Sequence, residues 1–167
     1  PSAQIQKHLL HGRRIHRPPQ NPLRLLPVPD QDGGAEGTGK TQKLIELANS
    51  ENKEAKGLQV YIDSSLNHSR EVMTQIRFIN TSEFHVASPE MFFGFLCGLI
   101  AGNYDINQIY IDDILEILNA KHLETAIAFL DQLEALTKEY ECDITLTLGA
   151  RDEDELKQIK KYEYQEA

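Results

Sequence analysis

The sequence predicts a three-layer α/β domain in which helices cover both faces of a mostly parallel sheet. Strand and helix patterns alternate along residues 34–167, as in chains that build a parallel sheet with helical connections. Continuous apolar runs, such as the one from Ile109 to Ile111, are typical of strands that are buried on both faces. A glycine-rich segment ending in Lys40 and Thr41 precedes the first helical pattern.

This glycine-rich segment consists of Gly34, Ala35, Glu36, Gly37, Thr38, Gly39, Lys40 and Thr41. It fits the phosphate-binding pattern G-x-x-x-x-G-K-[ST] at every position. Its glycines let backbone N–H groups turn inward around a phosphate, and a helix beginning near Lys40 adds its positive N-terminal end. Lys40 would contact the β- and γ-phosphates, and the Thr41 hydroxyl would ligate Mg²⁺. The alternative is an ordinary glycine-rich turn before a helix.

The first 33 residues differ in composition from the rest of the chain. They contain six of the seven prolines, five Lys and Arg residues and two acids, whereas residues 34–167 contain 12 Lys and Arg residues and 24 acids. A stretch rich in Pro and Arg is expected to be disordered. The apolar run from Leu23 to Val28 is interrupted by Pro27 and lies far upstream of Gly34. We therefore expect residues 1–33 to be disordered or foreign to the domain, with its first strand missing.

Four elements follow the glycine-rich segment. Residues from Lys40 to about Ser50 have apolar side chains at helical spacing. Leu58–Asp63 has the pattern of a strand that ends in a carboxylate. We expect a short helix from Ser69 through Arg77 and a weaker strand from Phe84 to Ala87.

The next helix has a strong start signal at Ser88 and Pro89, a capping hydroxyl followed by a proline at the first helical position. Its body, from Met91 to Ala101, is almost wholly apolar. Gly94 and Gly98 resemble the small-residue contact face of membrane helices, but the run is too short to cross a bilayer. We therefore expect a buried helix packed closely on the sheet.

The strand from Gln108 onward ends in two acids, Asp112 and Asp113. Open α/β sheets bind their ligands at the carboxyl ends of the strands. About seventy residues after a phosphate loop, this pattern indicates a Walker B element. Asp112 would hold Mg²⁺ through water, and Asp113 would be the base or the group that orients water. The alternative is a pair of solvated turn acids.

Three further elements complete the predicted domain. The face of a long helix is formed by Leu123, Ala126, Ile127, Leu130, Leu133 and Leu136. Asp143–Gly149 is another buried strand, whose end near Thr147 either senses the γ-phosphate or is an ordinary strand terminus. The charged tail from Asp152 to Ala167 is expected to be an exposed helix.

Composition restricts the environment and the partners. The net charge of −9 argues against a nucleic-acid surface. There is no apolar run long enough for a secretory signal or a membrane span. Two isolated thiols, Cys97 and Cys142, indicate a reducing compartment, so we expect a cytoplasmic protein.

The loop, its helix and the acid-ended strand together resemble P-loop NTPases of the RecA or thymidine-kinase-like branch. Residues 34 to about 162 are more closely similar to short, uncharacterised ATP-binding proteins of Gram-positive, clostridia-like bacteria. The similar segments are GAEGTGKTQKLIELAN, QIRFIN, FFGFLCGLI, DINQIYIDDILEI and ITLTLGARDEDEL. Some of those proteins are labelled twitching motility ATPases, although the sequence lacks the acid and histidine boxes and the additional N-terminal domain of true pilus-retraction motors.

The resemblance implies a Mg-ATP-binding protein that could hydrolyse ATP slowly. Asp113 occupies a position where many hydrolytic relatives carry the longer Glu, and the sequence offers no convincing arginine finger. One alternative is a nucleotide-dependent interaction module without turnover, which would engage a protein partner. Another is a nucleoside kinase similar to thymidine kinases, although the paired cysteines of their zinc site are missing.

Overall fold

Five strands lie side by side at the centre of the structure, a computed structural model that describes residues 22–26, 39–148 and 153–159. The strands are β1 (Leu23–Leu25), β2 (Leu58–Asp63), β3 (Arg77–Asn80), β4 (Ile106–Ile111) and β5 (Asp143–Leu146). Their order across the sheet is β1-β5-β4-β2-β3, and every neighbouring pair is parallel. The prediction of an α/β domain with a mostly parallel sheet is confirmed.

Helices flank both faces of this sheet. The α-helices of the described residues are α1 (Lys40–Asn52), α2 (Pro89–Gly102), α3 (Ile114–Ile117), α4 (Leu123–Tyr140) and α5 (Glu153–Ile159). Because successive strand residues point to opposite faces, Tyr110 joins the apolar cluster under α1, whereas Ile109 and Ile111 join the cluster under α2 and α4. The predicted apolar faces of α1 and α4 supply these two cores.

Strand β1 corrects the expectation that the first strand is missing and that residues 1–33 are disordered throughout. Leu23 and Leu25 are buried in the core on the α4 side, and Arg24 is buried on the opposite face. The backbone carbonyl of Pro22 accepts from the Ile144 N–H at 2.8 Å, and the Leu26 N–H donates to Leu146 at 3.0 Å. The strand spans Leu23–Leu25, so the ring of Pro22 precedes it and does not interrupt the pairing. The foreign origin of the remaining residues stays a hypothesis, because residues 1–21 and 27–33 lie outside the described residues.

The connection between β2 and β3 also differs from the prediction. Residues 64–76 form turns, the expected helix from Ser69 is not present, and Arg77 begins β3. The amide of Asn49 on α1 holds this connection by donating to the Glu71 carbonyl and accepting from the Met73 N–H, both at 2.9 Å. The Asn49 side chain thus bonds to backbone groups of residues 71 and 73, which in a helix would bond to other backbone groups.

The predicted strand from Phe84 to Ala87 is wrong. Parallel pairing with β2 selects Arg77–Asn80 instead, and a 3₁₀ helix spans Thr81–Phe84. The side chain of Asn80 starts this short helix by accepting from the Ser82 N–H at 3.1 Å. The polar cap therefore ends the strand before Phe84 is reached.

Helix α2 begins as predicted but is buried on only one side. The Ser88 hydroxyl accepts from the Met91 N–H at 3.2 Å. Phe92, Leu96 and Ile100 are buried at a spacing of four residues. Gly94 and Gly98 are exposed, with no atom within 4 Å of the position that a Cβ would occupy, so the expected close packing of this helix is wrong for its glycine face. Within the described ranges, no helix is both long and apolar enough to cross a membrane.

The C-terminal elements follow the prediction as far as they are described. Five of the six apolar positions predicted on α4 are buried, and Ile127 is partly buried. Strand β5 ends at Leu146, and α5 covers only the first part of the predicted tail helix, since residues 160–167 lie outside the described part of the chain. Cys97 and Cys142 are free thiols.

Candidate functional site

Polar residues gather where β2, β4 and β5 end. Asp63 is the last residue of β2, Asp112 follows β4, and Thr147 follows β5. All three are buried, with Asp112 4% and Asp63 5% exposed. Carboxyl ends of parallel strands lie at the same edge of a sheet, which is where open α/β sheets bind ligands. This edge is the candidate site.

The N-terminal end of α1 meets this edge. The Thr41 hydroxyl donates a hydrogen bond of 2.8 Å to one carboxylate oxygen of Asp112, although 71 residues separate the two in sequence. Gly39 precedes the helix in a left-handed conformation, with φ of 73°, which glycine adopts without steric penalty. The structure therefore brings together the end of the glycine-rich segment and the first of the two predicted strand-end acids.

Thr147 completes the surroundings of Asp112. Its hydroxyl donates to the second carboxylate oxygen of Asp112 at 2.8 Å and accepts from the Asp113 N–H at 2.8 Å. Both oxygens of Asp112 are therefore hydrogen-bonded, one to α1 and one to the end of β5. Two neutral hydroxyl donors stabilise the carboxylate in this buried position. The contact with Asp112 places Thr147 at the candidate site, while a role of this strand end in sensing the γ-phosphate stays a prediction.

Asp113 is placed differently from Asp112. It adopts a left-handed conformation, with φ of 51°, and its carboxylate caps α3 by accepting from the Glu116 N–H at 3.4 Å. A non-glycine residue in this conformation carries some backbone strain. The side chain is thereby occupied at the start of a helix, and no hydrogen bond joins it to Thr41 or Asp112.

Asp63 is the site residue that sequence reasoning missed. Burial, and secondly the charge of Asp112, raise the pKa of Asp63 to about 6, while hydrogen bonds from Ser64 and Ser65 and the charge of His68 lower it. The bond from the Ser64 N–H is 2.6 Å long. The available signal was that β2 ends in a carboxylate. Only the pairing of Ile62 with Ile111 shows that this carboxylate lies beside Asp112.

The glycine-rich segment is only partly described. Gly34, Ala35, Glu36, Gly37 and Thr38 lie outside the described residues. Lys40 is the first residue of α1 and is partly exposed. Within the described structure, its ammonium group has no hydrogen-bond or ion-pair partner, so it is free to contact a ligand.

The donor set suits a cation that keeps most of its water. In the described part of the chain, no group of three or more His, Cys, Asp and Glu side chains could hold a metal ion. Mg²⁺ does not need such a cage, because it binds one or two carboxylates together with waters and substrate phosphates. Asp112 and Thr41 match that requirement. A transition-metal site, which prefers His and Cys ligands, does not fit these residues.

No protein-family model matches the chain, and no curated protein is significantly similar to it. The chemistry of the site is therefore inferred from its own residues. What those residues provide is a buried carboxylate, a helix N-terminus with a lysine that has no partner in the described part of the chain, and a hydroxyl on each side of the carboxylate.

Proposed function

We propose that the chain is a P-loop NTPase that binds ATP with Mg²⁺ at the carboxyl edge of the sheet. The observation that carries the proposal is the 2.8 Å hydrogen bond between Thr41 and Asp112. It places a hydroxyl and a carboxylate side by side, and both are ligands that Mg²⁺ prefers. The sequence patterns predict both residues as Mg²⁺ ligands, Thr41 directly and Asp112 through water.

The remaining parts of the site fit an anionic ligand. Lys40 stands at the N-terminal end of α1, where the helix dipole and unpaired backbone N–H groups favour a phosphate. The ends of β2 and β4 carry the acids Asp63 and Asp112, so Mg²⁺ would be needed to offset their repulsion of the nucleotide. Binding of the Mg²⁺ complex is therefore preferred over binding of free ATP.

Hydrolysis is proposed to be slow. The Asp113 carboxylate caps α3 and is therefore a poor candidate for the base that was predicted from the sequence. Asp63 is better placed to orient a water molecule, because it lies beside Asp112 on the neighbouring strand. Its carboxylate is short, and no arginine among the described residues is placed at this edge by a contact with Thr41, Asp112 or Thr147.

The free thiols Cys97 and Cys142 are consistent with action in the cytoplasm.

A second candidate is an interaction module that binds ATP without turnover. The observation in its favour is an apolar surface on α2 and the preceding 3₁₀ helix. Phe84 is 53% exposed and Met91 is 49% exposed, and the ring of Phe84 contacts Phe95 with a centroid distance of 5.8 Å. ATP binding without phosphate release, together with pull-down of a protein only in the presence of ATP, would favour this function over hydrolysis.

Calorimetric titration of the full chain with ATP and Mg²⁺ tests the proposal. Lys40→Ala should abolish binding or weaken it severely, because it removes the cation at the start of α1. Lys43→Ala is the matched control, since Lys43 is exposed on the same helix one turn later, and it should leave the affinity unchanged. Equal affinity in the wild type and the Lys40→Ala variant would exclude this end of α1 as the binding site.

A further inference from the structure

A buried polar network lies under the C-terminal end of α1, opposite to the end that carries Lys40. Its centre is Glu51. The carboxylate of Glu51 accepts from the Arg24 guanidinium at 2.6 Å and from the Gln108 amide at 3.0 Å, and the Tyr110 hydroxyl lies 3.3 Å from it and 2.9 Å from the Gln108 amide oxygen, with one proton to share between them. These three residues belong to β1 and β4. Arg24, Gln108 and Tyr110 are all buried, so the network forms part of the interior on the α1 face of the sheet.

The network extends across four strands. Arg24 also donates to the Thr145 hydroxyl on β5 at 2.9 Å. Gln108 accepts from the Gln59 amide on β2 at 2.6 Å, and Gln59 in turn accepts from Asn52 at the end of α1 at 2.9 Å. Buried polar groups are costly unless they are hydrogen-bonded, and satisfied networks of this kind fix one arrangement of the surrounding elements.

Helix α1 is thus held by directional bonds at both ends. Thr41 is bonded to Asp112 at one end, and Glu51 is bonded to Arg24 and Gln108 at the other. Ten residues of α-helix separate these two points by about 15 Å. Between them, Leu44, Ile45 and Ala48 make apolar contacts with the sheet, and Asn49 is hydrogen-bonded to the turns after β2 rather than to the sheet. Apolar contacts are non-directional, so they do not by themselves fix how far the helix slides or rotates on the sheet.

We infer that Arg24 and Glu51 are positioning residues for the proposed Mg-ATP site. They hold α1 in the register that places Lys40 and Thr41 opposite Asp112, although neither residue contacts the site. The inference rests on the proposed function. It states that Arg24 on β1 and Glu51 at the C-terminal end of α1 together determine the position of the N-terminal end of α1.

A variant that removes both charges separates positioning from stability. Arg24→Met combined with Glu51→Met replaces the ion pair with apolar side chains of similar length, and such replacements often preserve stability. We expect the affinity for ATP with Mg²⁺ to fall about tenfold, within the usual range of coupling between separate groups and a binding site. Leu133→Ala is the control, because it lowers stability from the other face of the sheet without touching the network, and its affinity should equal that of the wild type.

Glu51→Gln provides a milder test if the double variant does not fold. It keeps a planar side chain of the same size but removes the charge that Arg24 pairs with, so it should also weaken binding. A purely structural role would lower the melting temperature of these variants and leave the affinity of the folded protein unchanged. Unchanged affinity in the double variant, or in Glu51→Gln where the double variant does not fold, would overturn the inference.

Amide hydrogen exchange without nucleotide distinguishes failure of the inference from failure of the proposed function. If the wild type does not bind ATP, the proposed function is wrong, and exchange at residues 43–46, the first amides of α1 that are hydrogen-bonded within the helix, then decides whether the network positions α1. Faster exchange at these amides in the double variant, but not in Leu133→Ala, would support positioning of this helix end. Exchange that matches the wild type would contradict it.

Discussion

Replacing Asp112 with asparagine separates the proposed metal role of this residue from its structural role. Its two oxygens accept hydrogen bonds of 2.8 Å from Thr41 and 2.8 Å from Thr147. An asparagine can keep both contacts, because the Thr41 hydroxyl can accept as well as donate. The substitution also removes the charge that raises the pKa of Asp63. We therefore expect the free energy of unfolding to change by less than about 1 kcal/mol.

Metal-dependent binding should respond much more strongly. A hydrogen bond to a charged group contributes about 1.5–3 kcal/mol, and we take loss of a charged ligand to be of similar size. About 2 kcal/mol corresponds to about thirtyfold in affinity. The affinity for ATP in the presence of Mg²⁺ should therefore fall about thirtyfold in Asp112→Asn. In the presence of a chelator no Mg²⁺ links Asp112 to the nucleotide, so the carboxylate makes no favourable contact with ATP. The affinity of Asp112→Asn for free ATP should therefore equal that of the wild type or exceed it.

Calorimetry in Mg²⁺ and in a chelator, on the wild type and the variant, measures this difference. Asp105→Asn is the matched control, because Asp105 is an exposed acid just before β4, at the opposite end of the same strand. The control should behave as the wild type under both conditions. Identical Mg²⁺ titrations of the wild type and Asp112→Asn would remove Asp112 from the metal site and refute the reasoning.

Two other substitutions test the surroundings of the site. Burial and the charge of Asp112 raise the pKa of Asp63 from 3.8 to about 6, so the folded state binds a proton more readily than the unfolded chain. Stability should therefore fall as the pH rises through this interval, and Asp63→Asn should flatten the fall in urea-denaturation midpoints. The buried Tyr61 hydroxyl has no hydrogen-bond partner among the described residues. Tyr61→Phe should accordingly leave the free energy of unfolding unchanged or raise it by about 1 kcal/mol, and a clear loss in the same denaturation assay would show that the hydroxyl has a partner.

Local signals were sufficient for much of the fold. The apolar spacing of α1 and α4 and the capping sequence at Ser88 predicted helices that the structure contains, because periodicity and caps involve residues only a few positions apart. The strand Leu58–Asp63 was predicted with its observed bounds. The pairing of Thr41 with Asp112 followed from a motif whose spacing reflects phosphate and Mg²⁺ chemistry.

Other features depend on contacts that are distant in sequence. The position of Asp63 beside Asp112 requires the adjacency of β2 and β4, which no local pattern encodes. The turns after β2 depend on Asn49, which supplies hydrogen bonds from another helix. Exposure of the apolar helix α2 on its glycine side depends on where α4 lies, since Phe92 stacks on Phe129 at a centroid distance of 5.7 Å.

Strand β1 shows most clearly why the domain boundary predicted from composition differs from the boundary that strand pairing sets. The proline and arginine content is an average over all of the first 33 residues, and this average predicts a solvated segment. Arg24 belongs to that average, yet its guanidinium is buried against Glu51 and Thr145 while Leu23 and Leu25 enter the opposite core. A register shift of one residue would place Arg24 in the apolar core and both leucines in the polar network. The alternation Leu-Arg-Leu thus matches the two faces that β5 and α1 offer, and the domain includes β1 because of that match.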